Sequence, residues 1–180
     1  EMASLGAKVL QTRSVEMAMK HGVRVQVRST FSDAPGTLVV DEDEIMEQKL
    51  VSGIAYSRDE AKITLVRVPD HPGIAAHVFG PLAKAGVNVD MIVQNVSEDG
   101  RATDLTFTVG KADMERALKV LDEARAEIGC ERVDSDPNVA KVSAIGVGMR
   151  SHAGIASQMF DALARKGINI MVISTSEIKI

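Results

Sequence analysis

The sequence contains HPGIAAHVFGPLAKAGVNVDMIVQ at residues 71–94 and a second copy, HAGIASQMFDALARKGINIMVIST, at residues 152–175. The two copies lie 81 positions apart, align without a gap and share ten identical residues. An internal repeat indicates two structural units of the same kind, because each copy specifies the same local structure.

The spacing of apolar residues changes within each copy. An alternating run precedes each copy, at residues 61–66 and 140–145, and predicts a strand. Apolar residues then recur with the 3.6-residue period of a helix. Pro81 lies inside the first predicted helix and should bend it, because proline removes one main-chain hydrogen bond. A glycine begins and ends each helix, namely Gly73 and Gly86 in the first copy and Gly154 and Gly167 in the second.

The residues after the first helix predict the rest of one unit. Strands at 87–96 and 104–109 are joined by a turn and form a hairpin. A helix follows from an N-cap at Asp113 to Ile128, and residues 132–136 can supply a closing strand. The order βαββαβ predicts an α+β fold of tandem ferredoxin-like units, each with an antiparallel sheet and helices on one face.

The second copy reaches residue 180 where its own hairpin would begin, so we expect this unit to be incomplete at its C-terminus. A strand predicted at 50–56 could complete its sheet if the first unit is inserted into the second. Residues 1–39 do not repeat the pattern, and an acidic stretch after them is typical of a solvated linker. The expected segments are 1–39 as a separate part, 40–48 as the linker, 58–137 as the inserted unit, and 49–57 with 139–180 as the second unit.

Composition excludes several classes of function. The net charge of −4 and the pI near 5.6 give no positive field for phosphate backbones, so we expect no nucleic acid partner. No apolar run approaches the ~18 residues of a membrane span, so we expect no membrane insertion. A single cysteine cannot form an intramolecular disulfide, which is typical of a cytoplasmic protein. The start at Glu1 without a signal peptide suggests a piece of a longer chain.

The sequence lacks the common motifs of catalysis. It contains no HExxH or CxxC metal motif, no phosphate-binding loop and no serine nucleophile arrangement. Gly146 and Gly148 lack the third glycine of a dinucleotide site. The four histidines are scattered, so we expect no metal site, and His71 and His152 are more typical of solvent-facing loops than of ligands or bases.

The features shared by both copies instead indicate a binding site. Each predicted helix N-terminus offers unsatisfied N–H donors and partial positive charge, which suit a carboxylate. In the first copy Asp70 precedes the helix, and Asn88, Asp90 and Gln94 on the next strand offer polar groups for an ammonium ion. Together these groups predict a site for a free amino acid. Alternatively, Asn88 and Asn169 only satisfy the turn geometry after the helix.

Residues 49–180 resemble the tandem ACT domains of aspartokinase. The resemblance rests on VPDHPGIAAHVFGPLAKAGVNVDMIVQNVS and KVSAIGVGMRSHAGIASQMFDALARKGINIMVISTSEI. Residues 1–39 resemble the end of that family's amino-acid-kinase domain, which argues against Met46 as the start of a separate regulatory subunit. The family's N-terminal glycine-rich lysine motif is missing. The resemblance implies a parent aspartate kinase that uses ATP and Mg to make 4-phospho-L-aspartate, whereas this fragment is not catalytic and needs no cofactor.

The resemblance also implies feedback inhibition of aspartate-family amino acid biosynthesis by threonine, lysine or both. The family's effector lies between ACT domains of two chains, which implies a homodimer or pairing with a kinase-bearing chain. Binding that favours one arrangement of these domains would shift the kinase toward an inactive state. The implied effector-binding residues are Asp70, Gly73, Ile74, Ala75, Asn88, Asp90, Gln94, Ile155, Ala156, Asn169 and Ser176.

Three other functions stay open at the level of the sequence. The repeated units could form an oligomerisation module without a ligand site of its own. A ferredoxin-like RNA-binding module is disfavoured, because the first two strands of the repeat unit carry no aromatic residue on which a base could stack. Catalysis by the fragment itself is the third alternative.

Overall fold

The computed structural model describes residues 9–40, 51–96, 100–146, 154–176 and 180. The chain divides into two compact units: the central unit, Ser57–Lys141, and the flanking unit, which combines Glu1–Tyr56 with Val142–Ile180. The described elements are, in chain order, α1 (Thr12–Lys20), β1 (Val25–Val27), β2 (Thr37–Val39), β3 (Gly53–Pro69), α2 (Ile74–Lys84), β4 (Val89–Val96), β5 (Ala102–Gly110), a 3-10 turn (Lys111–Asp113), α3 (Met114–Glu123), α4 (Arg125–Ile128), β6 (Arg132–Ile145) and α5 (Ile155–Ala164).

The sheet of the central unit has the strand order β4-β5-β3-β6. Strand β5 pairs antiparallel with β3, where Ile63 lies opposite Phe107, and with β4, where Val89 lies opposite Val109. Helices α2 and α3 follow the first and third strands of the unit along the chain. This order is that of a ferredoxin-like βαββαβ unit and confirms the predicted α+β fold class.

The core of the central unit brings together apolar residues of the sheet and of helices α2 and α3. Ile63 and Phe107 from the sheet, and Leu82 and Leu121 from the helices, are fully buried in one cluster. The rings of Phe107 and Phe79 meet edge to face with their centroids 5.3 Å apart. Burial of each large apolar side chain contributes about 1.5–3 kcal/mol, so this cluster stabilises the unit without a disulfide.

Helix α2 begins and ends as the glycines predicted. Gly73 at its N-cap has a φ of 95°, and Gly86 beyond its end has a φ of 69°, conformations that favour glycine. Pro81 lies inside the helix, yet its carbonyl still accepts a hydrogen bond from the amide of Ala85 at 3.0 Å. The helix therefore continues past the proline.

The structure corrects the predicted bounds of several elements. The predicted helix from Asp113 to Ile128 is two helices, α3 and α4, that divide at Ala124 and let Ile128 reach the core. The Asp113 carboxylate does not cap the helix; it pairs with Arg116 at 2.6 Å, so its acceptor atom is engaged by that guanidinium. The predicted first and closing strands extend to the full lengths of β3 and β6.

In the flanking unit, β1 and β2 form an antiparallel hairpin in which Val25 lies opposite Val39. Gly36 immediately precedes β2 and has a φ of 75°. A Cβ at this residue would lie 2.0 Å from the carbonyl oxygen of Val27. Helix α1 precedes this hairpin in the chain, and residues 1–8 lie outside the described part of the chain. The acidic linker, Met46 and residues 97–99 of the predicted hairpin turn also lie outside it.

The second repeat copy contributes the rest of the flanking unit. Helix α5 follows Gly154, which has a φ of 98°, and Gly167 beyond its end has a φ of 67°. The amide of Ser52 donates to the carbonyl of Ile145 at 2.7 Å, and Ala144 and Ile180 exchange two main-chain hydrogen bonds at 2.8 and 3.0 Å. Main-chain hydrogen bonds thus join the end of β6 to Ser52 and to Ile180, whereas residues 168–175 have no strand pairing.

Candidate functional site

The turn from β3 into α2 carries the first group of predicted site residues. The amide of Asp70 donates to the carbonyl of Arg101 at 3.0 Å, which fixes the end of the strand. The Gln94 side-chain amide lies 3.5 Å from Oδ1 of Asp70, at the long limit of a hydrogen bond. The structure therefore brings Asp70, Gly73 and Gln94 to one end of the central unit.

The start of α2 is open for a ligand. The carbonyl of Gly73 accepts hydrogen bonds from the amides of Ala76 and His77, so the main-chain hydrogen bonds of the helix begin at this residue. Among the residues that the structure describes, no side chain caps this N-terminus. A Cβ on Gly73 would meet no atom within 4 Å, so the space in front of the glycine is empty. An uncapped helix start in open space presents N–H donors to a carboxylate.

The other predicted residues of the central unit differ in exposure. Ile74 is buried in the core, so it anchors α2 and leaves little of its side chain for a ligand. Ala75 and Asn88 are exposed. Asn88 precedes Val89, the first residue of β4, so the structure does not bring it to the end of the unit where Gln94 meets Asp70. His71 is exposed as expected, and its Nδ1 lies 3.1 Å from the Pro72 carbonyl oxygen.

A bulge in β4 separates Asp90 from Gln94. Asp90 lies opposite Thr108 and Gln94 opposite Leu105, so four steps along β4 match three steps along β5. Opposite residues of an antiparallel pair share a face, and neighbouring residues alternate between faces. Leu105 points into the core, whereas Thr108 is on the other face. Gln94 and Asp90 therefore lie on opposite faces of the sheet, and the structure does not bring them together.

Asp90 instead belongs to a charged cluster that sequence reasoning missed. The Lys141 ammonium lies 2.6 Å from Oδ2 of Asp90 and 3.1 Å from Oε1 of Glu60. The side chains of Lys141 and Glu60 are only 12% and 13% exposed, whereas that of Asp90 is 58% exposed. An Ala-Lys pair begins the alternating run before each repeat copy, at Ala61-Lys62 and Ala140-Lys141. This repeated pair was the sequence signal that could have drawn attention to Lys141.

The cluster changes the acidity of its lysine. Burial of Lys141 acts to lower its pKa, because desolvation disfavours the charged form. The hydrogen bonds to Asp90 and Glu60 and the charges of these carboxylates act in the opposite direction. The carboxylates prevail, and the pKa of Lys141 is raised above its ordinary value of 10.5. Lys141 is therefore a firmly held cation at neutral pH.

The second group of predicted residues belongs to the flanking unit. Ile155, the first residue of α5, is buried, and Ala156 after it is half-buried. Asn169 and Ser176 are exposed. His152 lies outside the described residues. The N-cap glycine and the first turn of α5 thus repeat the geometry of α2, as the aligned copies predicted.

Two general properties bear on the chemistry. Across the described ranges, no helix is both long enough and apolar enough to cross a membrane. No group of three or more potential metal ligands occurs in that same part of the chain.

Comparison with known proteins identifies both repeat copies. Residues 62–126 and residues 142–180 each match an ACT domain family. The aspartate kinase of Stutzerimonas stutzeri strain A1501 is 57% identical over 181 residues, which cover 100% of this chain and 44% of that protein. The chain thus spans less than half the length of this curated relative.

Solved structures show the same relationship. The ligand-free regulatory subunit of aspartate kinase from Thermus thermophilus is 44% identical with a TM-score of 0.67, over 73% of this chain and 85% of that one. Aspartokinase III of E. coli in complex with lysine and aspartate, in the T state, is 26% identical with a TM-score of 0.71, over 99% of this chain and 39% of that one. The chain therefore belongs to the family of aspartokinase regulatory regions, which are built from two ACT domains.

Proposed function

We propose that this chain binds a free amino acid, threonine or lysine or both, and that binding inhibits the aspartate kinase to which the regulatory region belongs. The observation that carries this proposal is the uncapped, open start of α2 beside the Asp70 carboxylate and the Gln94 amide. An α-amino acid presents one carboxylate and one ammonium ion close together. The helix start suits the first group and Asp70 suits the second.

The binding mode follows from these groups. The amino acid carboxylate accepts hydrogen bonds from the main-chain amides of Gly73 and Ala75, since the amide of Ile74 already donates to the His71 carbonyl at 3.3 Å. Its ammonium donates to the Asp70 carboxylate. The Gln94 amide, on β4, either holds the Asp70 carboxylate in place or donates to the side chain of the effector. Asn88 lies outside this arrangement, because it precedes Val89, which is opposite Val109, whereas Gln94 is opposite Leu105 toward the other end of β4. The solved complex of E. coli aspartokinase III with lysine supports an amino acid as the effector.

The proposed site takes a second wall from the flanking-unit residues Ile155, Ala156, Asn169 and Ser176, contributed by another chain. The partner is a second copy or a kinase-bearing chain. The parent enzyme would phosphorylate L-aspartate with ATP and Mg outside this region. An effector that binds one arrangement of the ACT domains better than another shifts that equilibrium, and about 1–3 kcal/mol of coupling suffices for control.

We also propose a domain arrangement. Residues 58–137 form the first ACT domain, inserted into a second one made of 49–57 and 139–180. Residues 1–39 form the tail of a kinase domain, and 40–48 form the linker. The division of the chain at 56/57 and 141/142 supports the insertion, as does the hydrogen bond from Ser52 to Ile145.

The proposal is tested by isothermal titration of the chain with L-threonine, with L-lysine and with both, using D-threonine as the stereochemical control. We expect saturable heat from at least one L-amino acid. Asp70→Asn should weaken that binding by about 1.5–3 kcal/mol, because a charged hydrogen bond is lost. Asp122→Asn, the same change at an exposed position of α3, should bind like the wild type. A folded chain that gives no heat with either amino acid would contradict the proposal.

The exposed edge of the central sheet favours a second candidate, an assembly module without its own ligand. Strand β4 is the outer strand of the sheet, and its Ile92 and Val96 are 55% and 60% exposed. Unpaired strand edges with apolar side chains are ready to pair with another chain. Sedimentation and titration of Ile92→Lys test this candidate. Loss of assembly with amino acid binding retained would show that binding does not need the β4 edge, whereas assembly of a wild-type chain that binds neither amino acid would favour the assembly module.

A further inference from the structure

The bulge in β4 decides which face of the sheet Gln94 occupies. In a regular strand, Asp90 and Gln94 would share a face, because they are an even number of residues apart. The extra residue between Asp90 and Val93 reverses this parity and places Gln94 on the face where Asp70 reaches it. Met91 sits at the bulge with a φ of 47°, a left-handed conformation that residues other than glycine rarely adopt. The left-handed conformation of Met91 therefore needs a hydrogen-bond acceptor that stabilises it.

Asp90 provides that acceptor. The Met91 amide donates to Oδ1 of Asp90 at 2.8 Å, so the carboxylate of the preceding residue satisfies the N–H that the bulge removes from the ladder. Oδ2 of the same carboxylate accepts from the Lys141 ammonium at 2.6 Å. The Thr108 hydroxyl also donates to the Asp90 carbonyl oxygen at 3.2 Å. The two carboxylate oxygens thus divide between the bulge and the lysine.

We infer that Lys141 is a positioning residue for the proposed effector site, acting through Asp90 and the Met91 bulge on Gln94. The expected effect on ligand binding rests on the proposed function, whereas the role of Lys141 in holding the bulge does not depend on a ligand. Lys141 belongs to β6, at the far side of the sheet order from β4, and Glu60 on β3 holds its ammonium from a second direction. The lysine has little freedom to move, so it helps to hold the orientation of the Asp90 carboxylate.

Loss of the lysine should release this arrangement. Without the ammonium, Oδ2 of Asp90 loses the partner that lies 2.6 Å away, and Oδ1 is held less firmly against the Met91 amide. A left-handed methionine without that hydrogen bond relaxes toward an ordinary strand conformation. The residues after the bulge then change face, and Gln94 leaves Asp70. A change on one face of the sheet is thus expected to disable a binding group on the other.

The test compares Lys141→Met with Lys141→Arg, which keeps the positive charge, and with Lys62→Met. Lys62 lies on the same face, opposite Thr108, and makes none of the contacts described above. The first readout needs no ligand: the NMR shift and hydrogen exchange of the Met91 amide, with the shift of the Gln94 side-chain amide. The second is the affinity for L-threonine and L-lysine by titration.

We expect Lys141→Met to move both amide signals, to speed exchange at Met91 and to weaken effector binding about tenfold. Lys141→Arg should restore most of each property, and Lys62→Met should leave all of them unchanged. A merely structural lysine would lower the unfolding temperature and leave the affinity of the folded chain intact.

Unmoved Met91 and Gln94 signals in folded Lys141→Met would overturn the inference, whatever the affinity. If the wild type binds neither amino acid, the proposed function fails, and the amide signals still decide whether Lys141 holds the bulge. If Lys141→Met does not fold, Lys141→Gln replaces it, because that variant removes the charge and keeps a polar side chain; the same signals are expected to move.

Discussion

The main-chain N–H of Arg67 donates to Oδ1 of Asp104 at 2.8 Å across the central sheet. Arg67 has a φ of 53°, and the register between β3 and β5 shifts around it, between Leu65 and Val68. The bulge at Met91 has the same construction, in which a left-handed residue gives its amide to an aspartate. Both strands that flank β5 therefore carry a bulge held by a carboxylate.

Asp104→Ala should destabilise the central unit by about 1–2 kcal/mol, because the Arg67 amide loses its acceptor in a conformation that needs one. Urea denaturation followed by circular dichroism measures the change. Asp104→Asn retains an oxygen at the same place and should cost much less. Equal stability of the alanine variant and the wild type would show that the bulge does not depend on this hydrogen bond.

The raised pKa of Lys141 predicts a loss of stability in alkaline solution. Because the folded chain holds this proton more tightly than the unfolded chain does, the stabilising contribution is complete below the unfolded-state pKa, near 10.5. It disappears as the pH rises through the higher pKa of the folded state. Denaturant unfolding from about pH 10 to about pH 12 should therefore show a steeper decline for the wild type than for Lys141→Met. Parallel curves for the two proteins would rule out this linkage.

Gly36→Ala should disrupt the β1–β2 hairpin. The new methyl group would lie 2.0 Å from the Val27 carbonyl oxygen, and the φ of 75° is unfavourable for alanine. We expect a cost of about 2 kcal/mol or more, read as faster amide exchange at Val25 and Val39. Gly22→Ala is the matched control, since Gly22 has a similar φ of 60° with no atom near the new methyl group. A similar effect of both changes would mean that φ alone, rather than the clash, sets the cost.

Phe107→Leu should destabilise the central unit by about 1–3 kcal/mol, because the core loses the edge-to-face contact with Phe79 and retains a small cavity. Phe31→Leu makes the same change at a side chain that is 98% exposed, and it should shift stability by no more than about 0.5 kcal/mol. Thermal unfolding of both variants tests the pair. Comparable shifts would place the stabilising core elsewhere.

Sequence reasoning predicted the features that local chemistry determines. The helix ends at Gly73 and Gly86 follow from the left-handed conformations that glycine alone adopts easily, and they repeat around α5. The core residues follow from periodicity, since Ile63 and Leu82 lie on the apolar side of their elements. These properties depend on neighbours a few residues away, and a linear sequence shows those neighbours directly.

The face that each site residue occupies could not be predicted in this way. A strand pattern assumes strict alternation, so it placed Asp90 and Gln94 together, and one extra residue at Met91 reverses that result. The Asp90 carboxylate beside the bulge pairs with Lys141, a residue that is remote in sequence. Such pairings arise from the strand order, and no local spacing reveals them.

Strands β3 and β6 are neighbours in the central sheet, and each continues into the flanking unit. This has a consequence for the order of folding. The two segments of the flanking unit are separated in sequence by the whole central unit, so their direct encounter in an unfolded chain requires closure of a long loop. Once the central unit has folded, its own sheet holds the ends of that loop side by side. We therefore expect the central unit to fold first, which lowers the entropy cost of bringing the two flanking segments together.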